Sequence, residues 1–146
     1  MHDAGGMTAC AAGFVARVGA RGRLPLDYSV ASLRVVDFLV DGVRKGGADR
    51  ERAHDTLVEL GAYVGEVLVR RAGAVWVDLD DRQRAWFGQP VGVRMPDGRV
   101  WNPLGKVVNR FAAGGTDDSL HTFYLTLHGR ARRTPDRGAT ARGAAA

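Results

Sequence analysis

The stretch LVELGAYVGEVLVRR at positions 57–71 constrains the fold of this chain more than any other. Leu57, Leu60, Val64, Leu68 and Arg71 recur at spacings of three and four, the period of an amphipathic helix. Gly61 and Gly65 fall on the same apolar side, one turn apart. A glycine in a helix is about 1 kcal/mol less favourable than alanine, so two on the packing face predict a second backbone close by. The helix preceding this one in the chain is the expected neighbour. Gly73 then breaks the period, and AVWVDL behind it has the β-branched and aromatic make-up of a strand. The stretch therefore joins a helical half to a sheet half.

The remaining elements fall into place around that joint. Residues 24–47, LPLDYSVASLRVVDFLVDGVRKGG, predict a first helix with Asp27 or Ser29 as its cap. Arg34, Asp37, Asp41 and Arg44 form one narrow strip of it, expected to face water, and Gly46-Gly47 end it. Asp49 is the expected cap of the second helix, and the short glycine loop predicts that the two pack antiparallel. Strands follow at 91–95 and 99–101, joined by Pro96-Asp97-Gly98, with Gly98 suited to the positive φ of a bulged hairpin turn. Asn102 and Pro103 open another helix, which Gly114 closes. Asp117, Asp118 or Ser119 would cap a last helix over about 120–128. The predicted class is α+β: two antiparallel helices, a short antiparallel sheet of about three strands, and two shorter C-terminal helices.

Composition bounds the ends of the chain. The formal charge is +5, and its location matters more than its size. After His128, Arg130, Arg132, Arg133, Arg137 and Arg142 face one acid, Asp136; before Leu24, Arg17, Arg21 and Arg23 face Asp3. The segment between is close to neutral. Residues 1–23 read as a flexible leader with a helical turn around 11–18, and Met7 is a second possible start. Residues 24–128 read as one globular domain and 129–146 as a disordered basic tail. The single cysteine, Cys10, fits a reducing compartment, the cytoplasm. No run reaches the roughly 18 apolar residues of a membrane span, so no membrane partner is expected.

The order LDYSVASLRVVD, GAYVGEVLVRRAGAVWV, NPLGKVVNR, DDSLHTFY resembles a family of small uncharacterised bacterial domains. These carry a GAYxGE-type helix followed by a glycine and a tryptophan strand. The resemblance covers roughly 24–128. It implies an α+β fold and, since the family is itself a domain of unknown function, no chemistry.

The residues themselves give few chemical leads. His121 and His128 lie seven apart on one helix, roughly 10 Å at 1.5 Å per residue, too far to share a metal bound at about 2 Å. No metal or cofactor is expected. Glu59, Tyr63 and Glu66, with Asp55, could suggest acid–base work, but the strip faces away from the apolar side and Glu66 has Arg70 one turn on as a surface partner. Phosphate-loop spacing is absent, Cys10 lacks an activating neighbour, and no catalytic residue is named. Trp86 and Phe87 stand inside the polar connection DDRQRAWFGQP. They either fold back over the sheet or anchor a partner, and they are the candidate partner-binding residues. Three functional classes follow. The favoured one is a non-catalytic protein-binding module. The others are a small-molecule binder or enzyme whose site assembles only in three dimensions, and a weak nucleic-acid binder acting through the arginine tail.

Overall fold

In a computed structural model, which describes residues 2–22, 24–114 and 119–132, six helices accompany a small antiparallel sheet that packs against α3 and α5. The order is α1 (Met7–Gly22), α2 (Leu33–Lys45), α3 (Arg50–Ala72), β1 (Val75–Asp78), α4 (Asp81–Phe87), β2 (Val91–Arg94), β3 (Val100–Trp101), α5 (Pro103–Ala113) and α6 (Leu120–Arg132). The sheet order is β1-β2-β3, both pairs antiparallel, with Trp76 opposite Val93 and Val93 opposite Trp101. The α+β class expected from the pattern is present.

The central element is α3. From Leu57 to Leu68 every side chain except that of Glu59 is buried, including those of Tyr63 and Glu66. Such burial all round requires neighbours on every side, and α1, α2, α5 and the sheet supply them. Its ends follow local rules. Asp49 accepts from the Arg52 amide at 2.9 Å, satisfying a donor that the first turn leaves open. Gly73 closes the helix in the left-handed region at φ 74°.

The two glycines do bring other groups close, but not those of the preceding helix. A Cβ at Gly61 would stand 2.8 Å from Leu104 Cα on α5, and one at Gly65 would overlap the indole of Trp76 on β1. The small side of α3 is therefore shared between a helix backbone and a tryptophan ring, while α2 packs elsewhere on its circumference.

The leader expected to be flexible is instead α1. Met7, Ala11 and Phe14, at helical spacings of four and three, are buried. Met7 and Ala11 pack with Val58, Ala62, Val91 and Leu104, and Phe14 meets the ring of Tyr63 edge-on at 6.4 Å. The domain thus extends to include α1.

Of the strip expected to face water on α2, Arg34 and Arg44 are exposed, but Asp37 and Asp41 are half-buried and anchor the C-terminal helices. Asp41 Oδ2 accepts from the buried guanidinium of Arg110 on α5 at 2.8 Å. Asp37 accepts from Ser119 Oγ at 2.7 Å and from the amides of Leu120 and His121 at 2.7 and 3.3 Å. A carboxylate from α2 thereby caps α6. Ser119 Oγ in turn accepts from the Thr122 amide at 3.3 Å, while Asp117 and Asp118 lie outside the described residues. Nor do Asp27 and Ser29 cap α2. Asp27 accepts from the Ser29 amide and Ser29 Oγ from the Ser32 amide, forming turns that lead into α2 at Leu33. The hairpin turn is as predicted: Gly98 takes φ 89° and its amide reaches Met95 O at 2.9 Å. Helix α6 runs on to Arg132 rather than ending near 128. The remaining tail arginines, Arg133, Arg137 and Arg142, lie outside the described residues. No helix among the described residues is long and apolar enough to cross a membrane.

Candidate functional site

Glu59, Tyr63 and Glu66 follow one another along α3, yet each turns to a different partner. Glu59 pairs with Arg17 of α1. Tyr63 is fully buried, and its hydroxyl lies 2.8 Å from the Tyr28 amide and 2.6 Å from Ser32 Oγ. Ser32 already gives its one hydroxyl proton to Ser29 O at 2.6 Å, so Tyr63 donates to Ser32 and accepts from Tyr28. The phenol has no proton left to offer. Burial pushes its pKa above the ordinary value, with the Ser32 and Tyr28 hydrogen bonds opposing.

Glu66, expected at the surface, is 3% exposed. Oε1 accepts from Thr8 Oγ1 of α1 at 3.0 Å and from Trp76 Nε1 of β1 at 3.2 Å, and Oε2 from Arg70 Nε at 3.3 Å. Three donors from three elements satisfy a carboxylate that would otherwise be costly to bury. The acid is a pin beneath α1, not part of a solvated strip. The i,i+4 pair with Arg70 does form. Four residues on from Glu66, Arg70 lays its guanidinium over the Tyr28 ring at 3.7 Å, and Tyr28 stacks on Tyr63 at 5.0 Å between centroids. Tyr28 is the one non-glycine among the described residues with positive φ, 61°. The sandwich and the Arg71 bond to its carbonyl, 3.0 Å, hold it there. All these polar groups are occupied in holding α1, α3, β1 and the 24–32 segment together.

Among the described residues no three or more His, Cys, Asp and Glu side chains come together as a metal site would require. His2, His54 and His121 stand apart, and the side chain of His128 lies outside the described part. Burial, then the charge of Glu59, pushes the Cys10 thiol up, and Arg17 opposes. That is the reverse of activation.

The connection holding Trp86 and Phe87 is a helix, α4, spanning Asp81–Phe87. It is the loop of the β1–β2 hairpin, pinched at its base where the Leu79 amide meets Pro90 O at 3.0 Å. Asp80 accepts from the Gln83 amide at 2.8 Å while Gln83 Oε1 accepts from the Asp80 amide at 3.0 Å, a reciprocal capping box. Gly88 closes the other end at φ 70°. Arg84 Nε reaches Leu79 O at 2.9 Å, and Asn102 Nδ2 reaches Phe87 O at 3.2 Å. Within this fastened helix no residue is buried. Trp86 is 61% exposed and Phe87 half-buried.

No protein-family model, curated protein or solved structure matches the chain.

The aromatic pair was visible in the sequence, but its presentation was not. The D-x-x-Q pattern at 80–83 followed by Gly88 carries the helix signal. Its shortness and polarity make it look like a loop.

Proposed function

We propose that the protein is a non-catalytic, cytoplasmic protein-binding module that engages its partner through α4. The observation supporting this is a seven-residue helix, capped at both ends, that buries none of its own residues and carries Trp86 at 61% exposure. Folding back over the sheet would have removed that indole from water, so its exposure favours the anchor reading. Arg82 lies one turn before Trp86 and shares its face. Tryptophan and arginine are the residue types that dominate binding hot spots. The fitting partner is a protein surface with an apolar cleft for the indole and an acidic rim for Arg82. Hydrogen bonds within the Glu66 and Tyr63 clusters leave no free acid, base or nucleophile there, which favours binding over catalysis. A lone cysteine agrees with a reducing compartment, and the resemblance to small bacterial domains adds no reaction.

The test compares capture of cytoplasmic proteins by the wild type and by Trp86→Ala and Arg82→Ala. A specific partner should be retained by the wild type and lost by Trp86→Ala, with about 2 kcal/mol or more of binding removed at an unchanged melting temperature. A melting temperature that falls as for a core truncation, or a partner kept equally by both variants, would remove α4 as the surface.

A further inference from the structure

A second feature is independent of α4. Between the first half of α3, α5 and the turn at 88–90 lies a cavity of about 200 Å³. Leu57, Val58 and Leu104, all buried, form its inner wall, with Pro90 and Val108 at the sides. Arg50, His54, Gly88 and Gln89 complete its lining, and all four are at least partly exposed. Next to it, Arg50 and His54 also line a shallow shelf on the first turns of α3, together with Glu51 and Asp55. An apolar slot with a doubly charged lip is the result.

The charges on this lip are uncommitted. The acids and arginines that pack between elements pair, as in Glu59 with Arg17, Glu66 with Arg70 and Asp41 with Arg110. Arg34, Asp81, Arg82 and Arg94 stand unpaired among the described residues, but on other exposed surfaces away from this slot and shelf. The side chains of Arg50, Glu51, His54, Asp55 and Gln89 take part in none of the hydrogen bonds or ion pairs among the described residues. Size narrows the ligand further. The slot has the space of six or seven waters at about 30 Å³ each, below the roughly 300–1,000 Å³ of pockets for drug-sized molecules and cofactors. One branched or aromatic side chain fits it.

We propose that this slot binds a free α-amino acid with an apolar side chain. The side chain enters between Leu57, Val58, Leu104 and Val108. Its carboxylate lies against the guanidinium fork of Arg50 and the amide of Gln89, and its ammonium against Glu51 and Asp55. A simple anion would meet the two acids, and a simple amine would meet Arg50. A zwitterion suits both.

Ligand-observed NMR and calorimetry on the full chain test this with L-leucine, L-phenylalanine, glycine, leucinamide and 4-methylpentanoate. Leucine or phenylalanine should bind saturably with a Kd of roughly 0.1–1 mM. Glycine, leucinamide and 4-methylpentanoate, lacking the side chain, the carboxylate and the ammonium respectively, should each bind at least tenfold more weakly. Arg50→Ala, at an exposed first-turn position, should lose tenfold or more with an unchanged melt. Val108→Phe should block the slot, and if that variant does not fold, Arg50→Ala and the ligand series decide alone. No saturation by leucine or phenylalanine at about 20 mM, equal binding of leucine and leucinamide, or an unchanged affinity in Arg50→Ala would overturn the assignment.

Discussion

Replacing Gly65 by alanine sets two opposing effects against each other at one atom. In helix propensity the change should gain about 1 kcal/mol. The added Cβ, however, would overlap Cη2 and Cζ2 of Trp76 and stand 3.0 Å from Cζ3, where carbon pairs rest at about 3.5–4.0 Å. Overpacking of this kind costs about 1–3 kcal/mol. Moving the indole also pulls Nε1 from Glu66, 3.2 Å away, and a hydrogen bond to a buried charged group contributes about 1.5–3 kcal/mol. The balance is a net loss of roughly 1.5–5 kcal/mol. The lower half of that range applies, because Trp76 is only part-buried and can swing outward. Urea unfolding followed by circular dichroism measures it, with two references in the same protein. Gly42→Ala, in the exposed middle of α2 with nothing near its missing Cβ, should stabilise by about 0.5–1 kcal/mol. In a Trp76→Ala background the space opens, so Gly65→Ala should change sign and stabilise by a similar amount. A stabilising Gly65→Ala in the wild-type background would refute the reasoning, as would a penalty that survives removal of Trp76.

Deleting residues 1–22 removes the buried Met7 and Phe14 and uncovers their seat. At about 1.5–3 kcal/mol per large side chain the loss should be roughly 3–6 kcal/mol, and a melt coinciding with that of the full chain would contradict the docking of α1. Asp37→Ala should destabilise by about 1–2 kcal/mol through loss of the α6 cap, with faster amide exchange at Leu120 and His121 as the local signature. A phenol whose folded pKa is raised stabilises the fold fully below its unfolded value, about 10, and loses that contribution as pH rises through the folded value. Burial raises Tyr63, so unfolding free energy should fall as pH climbs above about 10; a fold whose stability stays flat there would exclude a buried neutral phenol.

Local chemistry was legible in the sequence because caps and turns depend on near neighbours. Asp49, Asn102-Pro103, Gly73 and the Pro96-Asp97-Gly98 turn each act over about one turn of chain, and each stands where the pattern places it. The glycines announced that something approaches α3 but could not say what. A missing Cβ is the same whether Leu104 or Trp76 fills the space. Glu66 read as exposed because a helical wheel has an outside only where one side lacks neighbours, and between Leu57 and Leu68 only Glu59 on α3 is not buried. The leader carried its signal, Met7, Ala11 and Phe14 in helical register, but its alanines and glycines concealed that period in composition. Whether such a weak stripe is buried depends on a seat built from Val58, Ala62, Val91 and Leu104, residues drawn from α3, β2 and α5 that only the folded chain brings together.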